Sequence, residues 1–182
     1  MKSANSQKYR DLMEDYRTLN KLVANQEKGS IIKINSADLN EQEIGAINTY
    51  ISSESYKINE KLRSGTELSN DEKAFVSNLD SALNKLPSYE GTVYRSLSSD
   101  MIENIDSFWK THSVDNIISY EAFTSSSTSV YDTNMDIQME IKSKNGKDIR
   151  DYNTKENEIL FCRNSMFKVI DVKNNVIYLE EV

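Results

Sequence analysis

The stretch Tyr152–Phe161, "YNTKENEILF", decides how this chain is read. It sets two carboxylates, Glu156 and Glu158, one residue apart at the mouth of an apolar run. If "EILF" is a strand, residues two apart point to the same side of it. Two like charges then face one direction. That is either a solvated strand entrance or a site that needs two acids.

Composition narrows the choice. The chain has 182 residues, 37% hydrophobic and 28% charged, the size of one domain or of one domain with a helical extension. A formal net charge of −7 disfavours nonspecific contact with nucleic acid or anionic membranes, so nucleic acid is not an expected partner. No apolar run is long enough to span a bilayer, so no membrane insertion is expected. The opening "MKSANSQKYR" lacks the apolar core of a signal peptide. The one cysteine, Cys162, leaves no partner for an internal disulfide, and its setting "ILFCR" reads as a buried, inert thiol. One histidine, His112, beside one cysteine disfavours a Ser-His-Asp or Cys-His site and a zinc site of the usual ligands. Any catalysis therefore rests on carboxylates, hydroxyls and arginines.

The hydrophobic period changes along the chain. Tyr9, Leu12, Met13, Tyr16, Leu19 and Val23 predict an amphipathic helix, and residues 1–35 read as an N-terminal helical extension to a main domain over 36–182. Asn40 and Glu43 have capping-box spacing ahead of the stripe Ile44, Ile47, Ile51. "SYKINEKLRSG" predicts a short helix closed by Gly65. "SNDEKAFVSNLDSALNKLP" predicts a longer one, with Phe75, Leu79, Leu83 and Leu86 on one face and Pro87 ending it. "GTVYRSL" then reads as a short strand, and "MIENIDSFW" as a helix with Met101, Ile105 and Phe108 on one face. Met135, Ile137, Met139 and Ile141 alternate as in a half-buried strand, "KNGKD" reads as a turn, and "IYLEEV" as a closing strand. Helices first and strands later predict an α+β domain.

Three stretches carry chemistry: "VYRSL" with Arg95, the hydroxyl run "EAFTSSSTS", and "KENEILF". Singly each has a plain reading: a surface arginine, a polar loop or strand face, a solvated strand entrance. Their order, Arg then Ser then Glu-x-Glu, is far more specific than any one of them.

That ordered set resembles the bacterial ADP-ribosyltransferase toxins of the Arg-Ser-Glu class, which include the enzymatic components of binary actin-modifying toxins, the Rho-modifying exoenzymes and several phage-encoded transferases. The family's arginine follows an aromatic at a strand end, as Arg95 follows Tyr94. Its serine motif follows a phenylalanine and one more residue, as Ser125 follows Phe123. Its catalytic glutamate ends a Glu-x-Glu element that opens an apolar strand, as Glu158 does. "AINTYISSESYKINEKLR" resembles the helical stretch that carries a second NAD-contacting arginine, here Arg63, and "ILFCRNSMFKVIDV" the strand–turn–strand after the catalytic glutamate. The resemblance runs from about Leu39 to Val182. The chain departs from the pattern in three places. Ser125-Ser126-Ser127 stands for Ser-Thr-Ser, with a literal Ser-Thr-Ser beginning at Ser127; Ser125 and Ser127 both remain candidates, and the Phe-x-Ser spacing favours Ser125. Ser96 follows the arginine where many relatives have glycine, and "VYDTNMD" supplies Tyr131 but no arginine.

The resemblance implies N-terminal helices packed on a two-sheet mixed β core. It implies NAD as substrate, no metal, and transfer of ADP-ribose to a protein side chain. The catalytic set it implies is Arg95, Ser125, Glu156 and Glu158. The NAD-binding set is Asn59, Arg63, Tyr94, Arg95, Ser96, Phe123, Ser125, Ser127 and Tyr131, and Tyr152 is the candidate contact to the protein substrate. In this family a glutamate at the position of Glu156 goes with arginine as acceptor and a glutamine with asparagine, so an arginine is implied here. The implied partners are NAD and a target protein bearing that arginine, with actin among the candidates. The chain is expected as a monomer, secreted or delivered into a host cell by a toxin, effector or phage route, with a separate delivery component as one option. Two other readings share the pocket: an NAD glycohydrolase with water as acceptor, and an interaction module that kept the fold and lost activity.

Overall fold

The computed structural model describes residues 38–153 and 155–182; the helix expected over Tyr9–Val23 and the extension 1–35 lie outside the described residues. Helix α1 (Glu41–Thr49) starts at the anticipated capping box: Asn40 Oδ1 accepts from the Glu43 amide at 2.9 Å, and the Asn40 amide donates to Glu43 Oε2 at 2.8 Å. Glu43 also holds Ser81 Oγ at 2.6 Å and Lys85 Nζ at 2.9 Å, and is only 1% exposed. Lys85 first, then Ser81 and the Asn40 amide, hold its carboxyl down at about 2. The buried face is accordingly Ala46, Ile47 and Tyr50, while Ile44 is left exposed. A π-helical turn, Tyr50–Glu54, breaks at Ser52, whose extended backbone (φ −94, ψ −177) turns the chain into α2, Ser55–Ser64. Gly65, at φ +67, ends α2 in the left-handed conformation that glycine adopts without strain. Helix α3 (Asn70–Lys85) has a second capping box, Ser69 with Glu72, and buries Val76, Leu79, Ala82 and Leu83.

The second half builds β1 (Ser88–Leu97), a 3₁₀ turn (Ser99–Met101), α4 (Ile105–Thr111), β2 (Ile117–Tyr120), β3 (Thr124–Ser127), β4 (Ile137–Asp148), β5 (Glu158–Phe161), β6 (Ser165–Lys173) and β7 (Val176–Glu181). The first strand is longer than "GTVYRSL" suggests. Met101 falls in the 3₁₀ turn and is 49% exposed, so it shares no helix face with Ile105 and Phe108. Hydrogen bonding runs in the order β1-β3-β5-β4-β7-β6-β2, and β1 also pairs with β4. Among the described strands only β4–β7 is parallel, so the sheet is mixed as expected. The strands expected as two sheets form one hydrogen-bonded system, in which Tyr94↔Ser127 and the end of β4 join the pair β3–β5 to β2-β6-β7-β4-β1.

The stretch "KNGKD" does not turn. It is the last five of the twelve residues of β4, where the ladder to β1 shifts register after Gly91↔Ser143 and resumes at Tyr89↔Gly146 and Ser88↔Lys147. On its other side β4 leaves β7 and takes up β5, at Lys147↔Leu160. Where β7 stops, the buried Glu181 carboxylate accepts from the Lys144 and Asn145 amides at 2.6 and 2.7 Å and replaces the missing ladder bonds. Glycine is needed at the crossover: a Cβ on Gly146 would stand 2.7 Å from Ser143 Oγ and 2.8 Å from Ile159 Cγ2.

Two cores result. One packs α1, α2 and α3 against Phe123, Ile149 and Leu160; the other packs α4 and the sheet around Ile159, Phe161 and Phe167. Among the described residues no helix is long and apolar enough to cross a membrane. His112 is built into the second core. Its Nδ1 stands 2.8 Å from the Phe108 carbonyl and its Nε2 2.8 Å from the Tyr120 hydroxyl, and it stacks on Phe108. The carbonyl can only accept, so Nδ1 carries the proton and Nε2 accepts from Tyr120. Burial, opposed by that carbonyl, pulls the imidazole pKa below its ordinary 6.5. The unfolded chain therefore takes up a proton on His112 before the folded one does, and stability falls as pH drops below about 6.5. The urea midpoint is expected to decline between pH 7 and 5, and His112→Gln should flatten that decline; the carboxylate losses, Glu43 among them, come at lower pH.

Candidate active site

The candidate site is built on β3 and β5, which run side by side. The pairing sets Ser125 opposite Leu160 and Ser127 opposite Glu158. Ser125 is therefore the diagonal neighbour of Glu158 on the same face, within side-chain reach. Ser125 Oγ donates to Glu158 Oε1 at 2.5 Å. Ser127, directly opposite, instead donates to the Glu156 carbonyl at 2.9 Å. The two candidate serines thus do different work: Ser125 meets the carboxylate, Ser127 ties down the backbone before it. Ser126, on the other face, donates to the Ile159 carbonyl at 2.8 Å.

Glu158 is 4% exposed and opens a strand buried at all four positions. Glu156 is not on that strand. Asn157 between them sits at φ +48, a left-handed conformation that asparagine tolerates, so the two-residue alternation of a strand does not apply. The expectation that both acids share one strand face is wrong in its reason. A side chain not singled out in the sequence brings them together instead: Asn153 Nδ2 donates to Glu158 Oε2 at 2.8 Å and to Glu156 Oε2 at 3.1 Å. No pattern in "DIRDYNTK" marks Asn153, because its position depends on how the chain returns from β4 to β5.

Arg95, half-buried near the end of β1, donates through Nη1 to the Ser125 carbonyl at 2.7 Å. Arg63, at the end of α2, stands close enough for Arg95 to act on it; desolvation of its guanidinium first, and Arg95 second, pull its pKa below the usual arginine range. Neither arginine forms a salt bridge among the described residues. Two guanidiniums within electrostatic reach of each other and free of salt bridges among the described residues, although the Glu60 charge acts on Arg63, suit an anionic ligand. Tyr50 feels both the acid and the arginines. Burial raises its phenol well above the ordinary value, the Glu158 charge adds to the rise, and Asn59, Arg95 and Arg63 oppose it. Asn59, one turn before Arg63, donates to Tyr50 Oη at 3.1 Å, and its Oδ1 is buried without a partner.

The remaining expected contacts divide. Tyr131 is 41% exposed at the rim; desolvation at its hydroxyl raises its pKa, and Arg95, Glu156 and Glu158 act on it. Tyr94 is half-buried beside Ser127. Phe123 is 3% exposed and meets Tyr50 edge-on at 5.6 Å, so it supports the pocket from inside the helical core rather than lining it. Ser96 is buried, its Oγ 2.7 Å from both the Tyr131 carbonyl and Gln138 Oε1, so it anchors the loop that carries Tyr131. Tyr152 packs half-buried against the helical core rather than projecting from the loop. Cys162 is half-buried, and burial pushes its thiol up, as expected of an inert cysteine. Among the described residues no three His, Cys, Asp or Glu side chains gather as metal ligands would.

The ADP-ribosyltransferase exoenzyme family model matches residues 26–180. This chain belongs to that family. Within it, the chain is 34% identical over 146 residues, 77% of its length, to the NAD(+)–protein-arginine ADP-ribosyltransferase Tre1 of Pseudomonas putida (strain GB-1). It is 31% identical over 140 residues, 73% of its length, to Tre1 of Serratia proteamaculans (strain 568). The matches cover 28% and 29% of those proteins, so the chain spans under a third of their length. The C3 exoenzyme of Clostridium limosum shares the fold, with a TM-score of 0.66 at 17% identity over 80% of this chain and 87% of that one.

The Ser125–Glu158 bond joins a hydroxyl to a buried carboxylate, the stronger kind of hydrogen bond. Ser125→Ala is expected to lower folding stability by about 1.5–3 kcal/mol, in line with bonds to charged groups, as read by urea unfolding at neutral pH.

Proposed function

We propose that this domain transfers ADP-ribose from NAD to an arginine side chain of a target protein. The observation that carries the reading is the convergence at one place of the Ser125–Glu158 pair, Glu156, and the two arginines Arg63 and Arg95. The Tre1 relatives, named as arginine-directed enzymes, agree with it. Residues 36–182 would carry the activity and 1–35 would be an extension.

The reaction breaks the bond between nicotinamide and ribose. Positive charge grows on the sugar while nicotinamide leaves neutral, as in glycoside cleavage through an oxocarbenium-like transition state. Glu158 supplies a fixed negative charge whose attraction increases as that positive charge grows, and only such a difference accelerates the step. Ser125 fixes the carboxylate so that it does not reorganise during the reaction. With no histidine bonded to it, Ser125 acts as a positioner and not as a nucleophile. Arg63 and Arg95 hold the diphosphate, Asn59 and Tyr50 shape the wall beside them, and Tyr131 covers the open side. The acceptor guanidinium is protonated in water and a poor nucleophile. Glu156 pairs with it, orients it and takes the proton it loses as its nitrogen bonds to the ribose carbon. Nicotinamide, ADP-ribosyl-arginine and one proton are the products. The chain acts in this reading as a toxin- or effector-type enzyme on proteins of a cell into which it is delivered, with actin one substrate to be tried.

Glu158→Gln is expected to cut both nicotinamide release and transfer to agmatine by about 10²–10³-fold, the usual loss for a group that stabilises developing charge. Glu156→Gln should keep nicotinamide release within about threefold while transfer falls about 100-fold or more. Equal loss of both activities would reject the division of labour, and nicotinamide release without any agmatine product in the unaltered chain would make water the acceptor. Arg63→Ala should raise the KM for NAD about tenfold or more with a smaller change in kcat, as loss of a charge-assisted contact predicts.

A further inference from the structure

We propose that Asn153 is a positioning residue that holds Glu156 and Glu158 together as one acidic unit, its single amide nitrogen spanning both carboxylates. The inference rests on the reading of the two glutamates given above. It adds a residue that supports neither by contact with NAD nor by contact with the acceptor.

The assignment of the amide is set by chemistry. A carboxylate only accepts hydrogen bonds, and Nδ2 has two protons to give. With the amide reversed, Oδ1 would face two negative oxygens. Nδ2 reaches Glu158 Oε2 at 2.8 Å and Glu156 Oε2 at 3.1 Å. The bonds use a different oxygen of Glu158 from the one that Ser125 occupies, so the buried carboxylate is held from both ends.

Asn153 is itself held. Its amide N–H donates to the Ile149 carbonyl at 3.0 Å, and its carbonyl accepts from the Glu156 amide at 3.3 Å. Ile149 is fully buried in the helical core, its amide donates to the Glu158 carbonyl at 3.3 Å, and Tyr152 packs half-buried beside it. The chain leaving β4 is thus pinned by Ile149 and Tyr152, four residues and one residue before Asn153. The nearby Arg150 does not compete for the acids, because Asp148 takes its guanidinium at 2.9 and 2.6 Å.

Neutrality is the important property. Two carboxylates this close repel, and leaving them unbridged would favour protonating one of them. An arginine or lysine at 153 would hold them together but would cancel the charge that the sugar and the acceptor guanidinium need. An aspartate would add a third negative charge. An amide satisfies both acids and leaves their charge intact.

The test uses the full chain with Asn153→Ala, Asn153→Asp and Asn153→Gln, checked for folding by thermal melting. Carbon-detected NMR titration of the glutamate carboxyls reads the bridge without reference to activity. Asn153→Ala and Asn153→Asp should raise the apparent pKa values of the Glu156–Glu158 pair, with Asn153→Asp giving the larger rise, and Asn153→Gln should return them part-way. In assays with NAD and agmatine, Asn153→Ala should lower kcat for transfer about tenfold or more, with nicotinamide release falling less and the KM for NAD little changed. The acid limb of the rate profile should move to higher pH in Asn153→Asp. Unmoved carboxyl titrations with an unchanged ratio of transfer to release in Asn153→Ala would overturn the proposal. If the unaltered chain releases nicotinamide but leaves agmatine unmodified, the acceptor reading fails while the carboxyl titrations still decide the bridge.

Discussion

Strand β5 is four residues long and buried on both faces, and the rest of the molecule is organised around that constraint. Leu160 enters the helical core, while Ile159 and Phe161 enter the sheet core. A strand wedged between two cores cannot slip by one residue without exchanging every side chain between them. Its register against β3 is therefore held firmly, and Glu158 is delivered to one place at its mouth. Burial of the apolar residues sets the position of the acid, and Ser125 then sets its orientation.

The helical half answers the same constraint from above. The break at Ser52 redirects the chain into α2, so that Asn59 meets Tyr50 and Arg63 comes within electrostatic reach of Arg95. Two guanidiniums repel and lose hydration when brought together, which costs stability in the free protein. A polyanion between them would offset that cost, which is why the proposed reading gives the two arginines to the ligand. The stabilising ion pairs lie elsewhere, as in Glu43 with Lys85 and Asp80 with Arg163, which tie helices to one another and to the turn after β5.

Several features are legible in the residues themselves, because they depend on local chemistry. Capping boxes need only a side chain and an amide three residues apart, so Asn40–Glu43 is readable as a helix start. The helical period exposes most of the face of α3, and alternation exposes the start of β4. Where local patterns mislead, non-local forces override them. "KNGKD" has turn chemistry, but pairing with β1 and the amide contacts of Glu181 keep it extended, and the glycine serves the crossover. Phe123 and Ser96 follow a family motif for ligand contact, yet packing absorbs one and a loop anchor absorbs the other.

The sequence alone determined the order Arg95, Ser125, Glu158, the helix-then-strand succession and the acidic pair in "ENEILF", because each is a matter of residue type and spacing. Which of Ser125 and Ser127 bonds the Glu158 carboxylate belonged to the tertiary structure, since it depends on which serine lies diagonal to Glu158 across a ladder. So did the meeting of the two glutamates. Their spacing promised it through a strand face, but the left-handed Asn157 removes Glu156 from the strand. The acids meet instead through Asn153, whose amide is bonded to the Ile149 carbonyl and which follows Tyr152, both residues packed in the helical core.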